Sequence, residues 1–483
     1  MKILFMYPNK YLENGIPTGI ATLASVMKQQ GHDVDIFDWT FINTGDKADL
    51  PTYGHRTLDH TSYTIEDLVS NEPIQTIESA FKNKLSIYQP DIVALSVMTG
   101  HFDEAVKLLT KVKPSCIVVA GGIHPTVCPK DTLEQSKAID LVCVGEGEHF
   151  FVELCELLEQ GKDYKKIRNL AYRDKDGFVK INPLRPLIDL NELPVPAWEL
   201  FDDRHLFRPF EGHIYRGSFY TMSRGCPGRC TYCLNWSLRN IFSGCGKYFR
   251  YQTPEVTGHQ INNLKENCGA TWFRFVDESM GVFNENYLEQ LSDILKPLNI
   301  NFACSVRPET LNKRKVNLLK SMGCVAAILG VESGNLNIRK NILNRNMSDD
   351  QIKKSVKLLK DAGIRVSTFN MIGLPEETKE NVFETIQLNK DLDLPTVNVF
   401  ILYPYPGTEI SREYNTPLRD QNRNIIPVGE APRFNLSKLT NEELKKFLTT
   451  FEFYVKLPEN LWPEIEKLSY DKDKLIELLN KHS

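Results

Sequence analysis

Ser223-Arg224-Gly225-Cys226-Pro227-Gly228-Arg229-Cys230-Thr231-Tyr232-Cys233 is the stretch that decides the fold. It directly follows a short apolar run, Phe219–Ser223, that reads as a β-strand. Thiolates are the standard ligands of iron–sulfur clusters. Three of them leave one iron of a cube without a protein ligand, and catalytic metal sites keep such an open position for substrate. Two other readings of the triad stand beside this one: a zinc site missing its fourth ligand, and chance.

Outward from the triad toward the C-terminus, strands and helices alternate. Strands are predicted at Trp272–Val276, Asn301–Val306, Ala326–Val331, Val366–Met371 and Thr396–Leu402, besides Phe219–Ser223 itself. Helices are predicted at Glu255–Asn267, Glu285–Leu295, Asn312–Met322, Asp349–Ala362 and Lys379–Asp391. Six strands with intervening helices suit an incomplete (β/α)6 barrel over residues 206–410, with its active residues at the strand C-termini. Residues 411–483 read as a helical extension.

Toward the N-terminus, residues 1–182 alternate in the same way. Strands are predicted at Ile3–Met6, Val34–Phe37, Ile92–Ser96, Cys116–Ala120 and Leu141–Val144, with helices at Gly19–Gln30, Ile74–Tyr88, Asp103–Val112 and Phe150–Glu159. This pattern implies an α/β fold with a doubly wound parallel sheet whose ligand lies beyond the strand C-termini. Asn169–Ile181, with its Asp176-Gly177 turn, reads as a hairpin. Thr40–Pro73 is polar and without period, a long surface insertion and a candidate lid. Pro183, Pro186, Pro194 and Pro196 mark a stiff linker at 183–205.

The totals set limits. Lys plus Arg number 58 and Asp plus Glu 62, giving a net charge of −4, too balanced for a nucleic-acid or anionic-membrane surface. No apolar run reaches the roughly 20 residues of a membrane-spanning helix, and MKILFMYP reads as a first strand, not a signal peptide. A cytoplasmic location is expected. The 11 cysteines suit reduced thiols and metal ligation better than a disulfide framework.

The triad, with Tyr232 before its last cysteine, resembles the radical S-adenosylmethionine (SAM) superfamily, and further matches run across Ser218–Glu409. The resemblance implies a 4Fe-4S cluster on Cys226, Cys230 and Cys233 whose open iron binds the amino and carboxylate groups of SAM, and an external electron donor of flavodoxin or ferredoxin type. It also implies SAM contacts at Tyr232, Asp277, Glu278, Arg307, Glu332, Ser333 and Gly373. Asp277 and Glu278 end the second barrel strand, where a carboxylate can accept from the methionyl ammonium; they also read as a helix N-cap pair. Arg307 has the fork to hold a carboxylate and equally reads as a surface arginine. Gly330-Val-Glu332-Ser333-Gly334 is similar to the family's Gly-Ile-Glu-Ser-Gly signature. Gly373 allows close approach to adenine, or a turn into the next helix.

The N-terminal half resembles the cobalamin-binding domain of class B radical SAM enzymes. The pieces are Thr18 and Gly19; Ser96, Met98 and Thr99; Gly121, Gly122, His124, Pro125 and Thr126; and Gly145, Glu146, Gly147 and Glu148. Each follows a predicted strand or opens a helix. In one respect the chain departs from the pattern: no histidine stands in Asp-x-His-x-x-Gly, and the nearest match, Asp203-Arg-His205-Leu-Phe-Arg208, ends in Arg. A histidine-ligated cobalt is therefore not expected; the lower face is open or otherwise ligated, or cobalamin has been lost. The resemblance implies a cobalamin-dependent methyltransferase that uses SAM twice and acts on an unactivated carbon of a small metabolite or peptide natural product. The runner-up is a radical SAM oxidoreductase or cyclase of the same layout. The sequence assigns no catalytic acid or base.

Overall fold

Two seven-stranded sheets are built from the short β-branched or apolar runs. In the structure, a computed structural model, residues 1–9, 15–45, 72–210, 213–426 and 434–482 are described. The first sheet contains β1 (Lys2–Tyr7), β2 (Asp33–Asp38), β3 (Ile92–Ser96), β4 (Ile117–Gly121), β5 (Leu141–Cys143), β6 (Leu170–Arg173) and β7 (Val179–Ile181). Its order is β2-β1-β3-β4-β5-β6-β7. β1 to β5 are parallel, and the hairpin β6–β7 adds two antiparallel edge strands. Helices Thr18–Gln29, Ile77–Tyr88, Phe102–Val112 and the short pair Ile123–Val127 and Pro129–Gln135 lie in the crossovers, and Glu148–Glu159 leads from β5 to the hairpin. All of the candidate insertion from residue 46 to 71 lies outside the described residues.

The second sheet contains β8 (Phe207–Phe210), β9 (His213–Tyr220), β12 (Trp272–Phe275), β13 (Asn301–Val306), β14 (Cys324–Glu332), β15 (Arg365–Ile372) and β16 (Thr396–Ile401). Six of these run parallel in chain order, and β8 pairs antiparallel with β9 at the edge. The expected six-stranded βα series is therefore present, with an extra edge strand that the sequence reading lacks. Helix starts follow local chemistry. Ser348, Thr378 and Thr440 each close a capping box ahead of Asp349–Asp361, Lys379–Leu392 and Asn441–Lys456.

The proline-rich segment at 183–205 is a strap anchored by buried side chains and not a free spacer. Prolines keep it extended, and its apolar residues pack to either side: Leu190, Ala197, Trp198 and Phe201 are buried. Ala197 N–H donates to the Ala21 carbonyl in the N-terminal helix, and the Gln260 side chain donates to the Leu193 carbonyl from the barrel side. The Trp198 ring lies 5.9 Å from that of Phe273. One continuous apolar core thus runs from Ile3 and Phe5 through Trp198 to Phe273 and Phe302.

The C-terminal extension is helical at Asn441–Lys456, Trp462–Lys467 and Lys472–His482. Its earlier part, around Pro417 to Ile425, is irregular and docks on the N-terminal sheet unit. There Arg419 pairs with Asp131 and Asp103, at 2.7 and 3.1 Å. Among the described residues no helix is long and apolar enough to cross a membrane.

Candidate functional site

The cysteine loop opens with a two-residue ribbon, β10 (Ser223–Arg224) paired antiparallel to β11 (Arg250–Tyr251), and closes on the helix Leu234–Ile241. Cys226 and Cys230 are buried and Cys233 is half-buried. Each sulfur has a donor: Gly228 N–H to Cys226 at 3.3 Å, Arg307 Nη1 to Cys230 at 3.3 Å, and Asn235 Nδ2 to Cys233 at 3.8 Å. A side chain at position 228 would meet Arg307 Nη1 at 2.6 Å, so glycine there admits the arginine.

Burial pushes the Cys226 thiol up and the Cys233 thiol to about 12, with Glu278 adding to both. Free thiolates are thus disfavoured, and bound iron would supply the compensating positive charge. Among the described residues no three His, Cys, Asp or Glu side chains are grouped to hold a single metal ion. The soft three-sulfur set, with a donor on every sulfur, instead fits a multi-iron cluster with one thiolate per iron.

Glu278 is exposed in the loop's mouth, yet the protein around it raises its carboxyl by desolvation, against a hydrogen bond from Asn235. Asp277 points the other way. Its carboxylate accepts from Met222 N–H at 3.1 Å and from the hydroxyls of Thr221 and Ser223, pinning the start of the cysteine loop. Burial moves it up to about 6.

Glu332 sits at a register shift in β14 with φ +68°, a left-handed conformation that turns its side chain inward. Its Oε1 accepts from the Tyr232 hydroxyl at 2.9 Å and lies 3.6 Å from Arg345 Nη1. Arg345 also donates to Tyr232, at 3.3 Å, and to the Gly330 carbonyl. The sequence reading missed Arg345, which follows a π-turn at Ile338–Ile342. An isolated arginine in an Asn-rich loop carries no spacing signal. Ser333 is buried and serves the chain: its hydroxyl accepts from Asn335 N–H. Gly373 has φ +77° and donates to the buried carboxylate of Glu377 at 2.7 Å, as does Leu374 at 3.1 Å.

In the N-terminal unit, Ser96 to Thr99, Gly121 to Thr126 and Gly145 converge at the ends of β3, β4 and β5. Val97 N–H donates to the Gly121 carbonyl and Gly145 N–H to the Thr126 hydroxyl. Met98 and Ile123 stay exposed there, 55% and 38%. With Thr18 and Gly19 opening the first helix, this glycine-lined, apolar-edged face fits a large flat ring. His124 is fully buried beside Pro125, its Nδ1 3.3 Å from Thr99 Oγ1, and burial pushes it down to about 4. His205 is also buried, with Gly15 N–H on Nδ1 and Asp38 on Nε2, so both ring nitrogens are committed. Glu146 and Glu148, on either side of Gly147, turn away from this face toward Arg224 and Arg250 of the cysteine loop.

A half-barrel carrying a three-thiol loop, joined through an anchored strap to an open sheet, defines a two-cofactor enzyme class. Residues 220–388 match the model of the radical SAM superfamily and residues 55–155 that of the B12 binding domain. The chain thus carries a radical SAM domain together with a B12-binding domain that precedes it. It is 29% identical to an uncharacterized methyltransferase of Pyrococcus horikoshii, over 90% of this chain and 86% of that one. It is 23% identical to the anaerobic magnesium-protoporphyrin IX monomethyl ester cyclase of Rubrivivax gelatinosus, over 86% and 70%. Its fold is similar to that of TsrM, a radical SAM methyltransferase of Kitasatospora setae solved with cobalamin and a [4Fe-4S] cluster bound. The TM-score is 0.68, the identity 15%, and 99% of each chain is covered.

Proposed function

We propose that this protein is a cobalamin-dependent radical SAM methyltransferase acting on a small metabolite or peptide natural product. The observation that carries the reading is the pairing, in one chain, of a loop of three hydrogen-bonded thiols with a second strand-end face edged by exposed Met98 and Ile123. Similarity to methyltransferases supports it. When bound, the cluster supplies the electron that cleaves SAM to a 5′-deoxyadenosyl radical, and cobalamin supplies a methyl-carrying centre.

The chain's own residues do the rest. Cys226, Cys230 and Cys233 hold the cluster, and Arg307 supports Cys230 from the side. Glu278, open at the mouth, accepts from the methionyl ammonium. Tyr232, Glu332 and Arg345 form a wall whose single carboxylate faces SAM, with Ser333 fixing the turn behind it. Gly373 lets the backbone approach adenine, while Asp277 holds the loop and leaves SAM binding to Glu278. Thr18, Gly19, Ser96, Met98, Thr99, Gly121, Gly122 and Thr126 line the cobalamin face, with His124 and Pro125 packed behind. An external donor of flavodoxin or ferredoxin type delivers the electron. The similarity to the cyclase keeps a radical SAM oxidoreductase or cyclase as the second reading. Replacing all three cysteines by Ala is expected to abolish iron and sulfide in anaerobically reconstituted protein. Undiminished cluster content in that variant would refute the cofactor assignment.

A further inference from the structure

We propose that Glu146, Glu148, Arg224 and Arg250 form a charge clamp through which the N-terminal domain sets the position and reduction potential of the cluster. The inference rests on the assignment of a cluster to Cys226, Cys230 and Cys233.

Arg224 stands two residues before Cys226, on the strand that launches the cysteine loop, and Arg250 is its cross-strand partner. Both guanidinium groups reach across to the turn after β5. Arg224 Nη1 donates to Glu146 Oε1 at 2.9 Å and its Nη2 to Glu148 Oε1 at 2.5 Å, while Arg250 donates to the same Glu146 oxygen. The strap joins in: Ile188 N–H donates to Glu146 Oε2 at 3.0 Å, and Arg250 Nε donates to the Ile188 carbonyl at 2.9 Å. Glu148 is 4% exposed and its Oε2 has no hydrogen-bond partner. It also opens the helix Glu148–Glu159, whose N-terminus favours a negative charge.

These groups form two cations and two anions in a partly desolvated interface, so the quartet is neutral as a whole. In such surroundings a lone charge is screened far less than in water. Cluster potentials respond to nearby net charge and to hydrogen bonding at the sulfurs. The same turn continues into the strand-end face of the N-terminal sheet through Gly145 and Thr126. The clamp therefore gives a hydrogen-bonded route from that face to the cluster loop. Apolar residues could join two domains as firmly as a buried ion pair does, so structural adhesion alone does not call for four charges at this place.

The test is the cluster's midpoint potential, measured by redox titration of cobalamin-free, cluster-loaded protein followed by electron paramagnetic resonance. Arg224→Gln leaves an excess negative charge beside the loop and is expected to shift the potential downward. Glu148→Gln leaves an excess positive charge and is expected to shift it upward. The double variant should return toward the wild-type value, and Arg224→Lys should fall between wild type and Arg224→Gln. Unmoved potentials, or shifts of the same sign in both single variants, would overturn the clamp. Should Arg224→Gln fail to hold a cluster, the sign of the Glu148→Gln shift and the position of Arg224→Lys still decide. A wild-type protein without iron and sulfide would instead refute the cluster assignment on which the inference rests.

Discussion

Glu332 illustrates how local backbone geometry aims one carboxylate into the candidate site. The sequence places it after an apolar strand in Gly-Val-Glu-Ser-Gly, and its left-handed backbone at the β14 register shift turns the carboxylate inward. Burial raises that carboxyl and Arg345 opposes the rise. Glu332→Gln keeps the shape and removes the charge. If the carboxylate accepts a charge-assisted hydrogen bond from SAM, SAM affinity should fall about 10- to 150-fold, the effect of losing about 1.5–3 kcal/mol. Equilibrium binding of SAM to cluster-loaded protein measures it, and unchanged affinity would make Glu332 a structural residue. Glu377 gives a second prediction at this scale. Burial pushes its carboxyl from 4.5 to about 8, against the Leu374 and Gly373 N–H groups. Between those values the folded chain holds a proton that the unfolded chain has released. Folding stability therefore drops as pH rises from about 4.5 to 8. Glu377→Gln should flatten that dependence in thermal unfolding and be the more stable protein at pH 8. A variant with the wild-type slope would contradict the shift.

At the level of elements, buried strands are the most legible part of the sequence. Ile92–Ser96, Asn301–Val306 and the helix Glu285–Leu295 have the predicted bounds, because apolar runs mark the strands and an Asn284 cap marks the start of the helix. The edge strand β8, the helix Leu234–Ile241 and the π-turn before Arg345 escape the reading. The first two are short, and all three are fixed by tertiary contacts, not by any local period. The same limit explains Glu146 and Glu148. Their glycine-rich turn matches a cofactor loop, but the arginines they meet come from another domain, which a single sequence cannot bring together. Asp277 and Glu278 are adjacent in sequence and face opposite ways, a split that alternation along a strand end produces. Glycine at 217 is demanded by the pairing of β9 with β12: a Cβ there would lie 1.5 Å from the Trp272 carbonyl oxygen. Gly217→Ala should cost about 3 kcal/mol or more, read as a lower thermal unfolding midpoint with reduced cluster retention. An unaltered midpoint would show that the sheet relaxes there.

On the scale of the whole molecule, the anchored strap and the continuous apolar core join the two units. Trp198 bridges them from the strap, and Arg419 ties the C-terminal extension back onto the N-terminal unit. That arrangement suits a reaction whose two halves must share one substrate. Bound cobalamin would supply an acceptor for the methyl group of one SAM, with S-adenosylhomocysteine as the by-product, and a bound cluster would supply the electron that cleaves a second SAM, with 5′-deoxyadenosine as the by-product. Neither half alone methylates an unactivated carbon. The most direct measurement is the stoichiometry of these two products in anaerobic reactions with labelled SAM, a one-electron donor and cell extract or a candidate substrate, followed by mass spectrometry. The methyltransferase account predicts S-adenosylhomocysteine and 5′-deoxyadenosine in equal amounts, each matching the methylated product. Substrate-dependent 5′-deoxyadenosine with no S-adenosylhomocysteine would contradict it and leave the oxidoreductase or cyclase reading in its place.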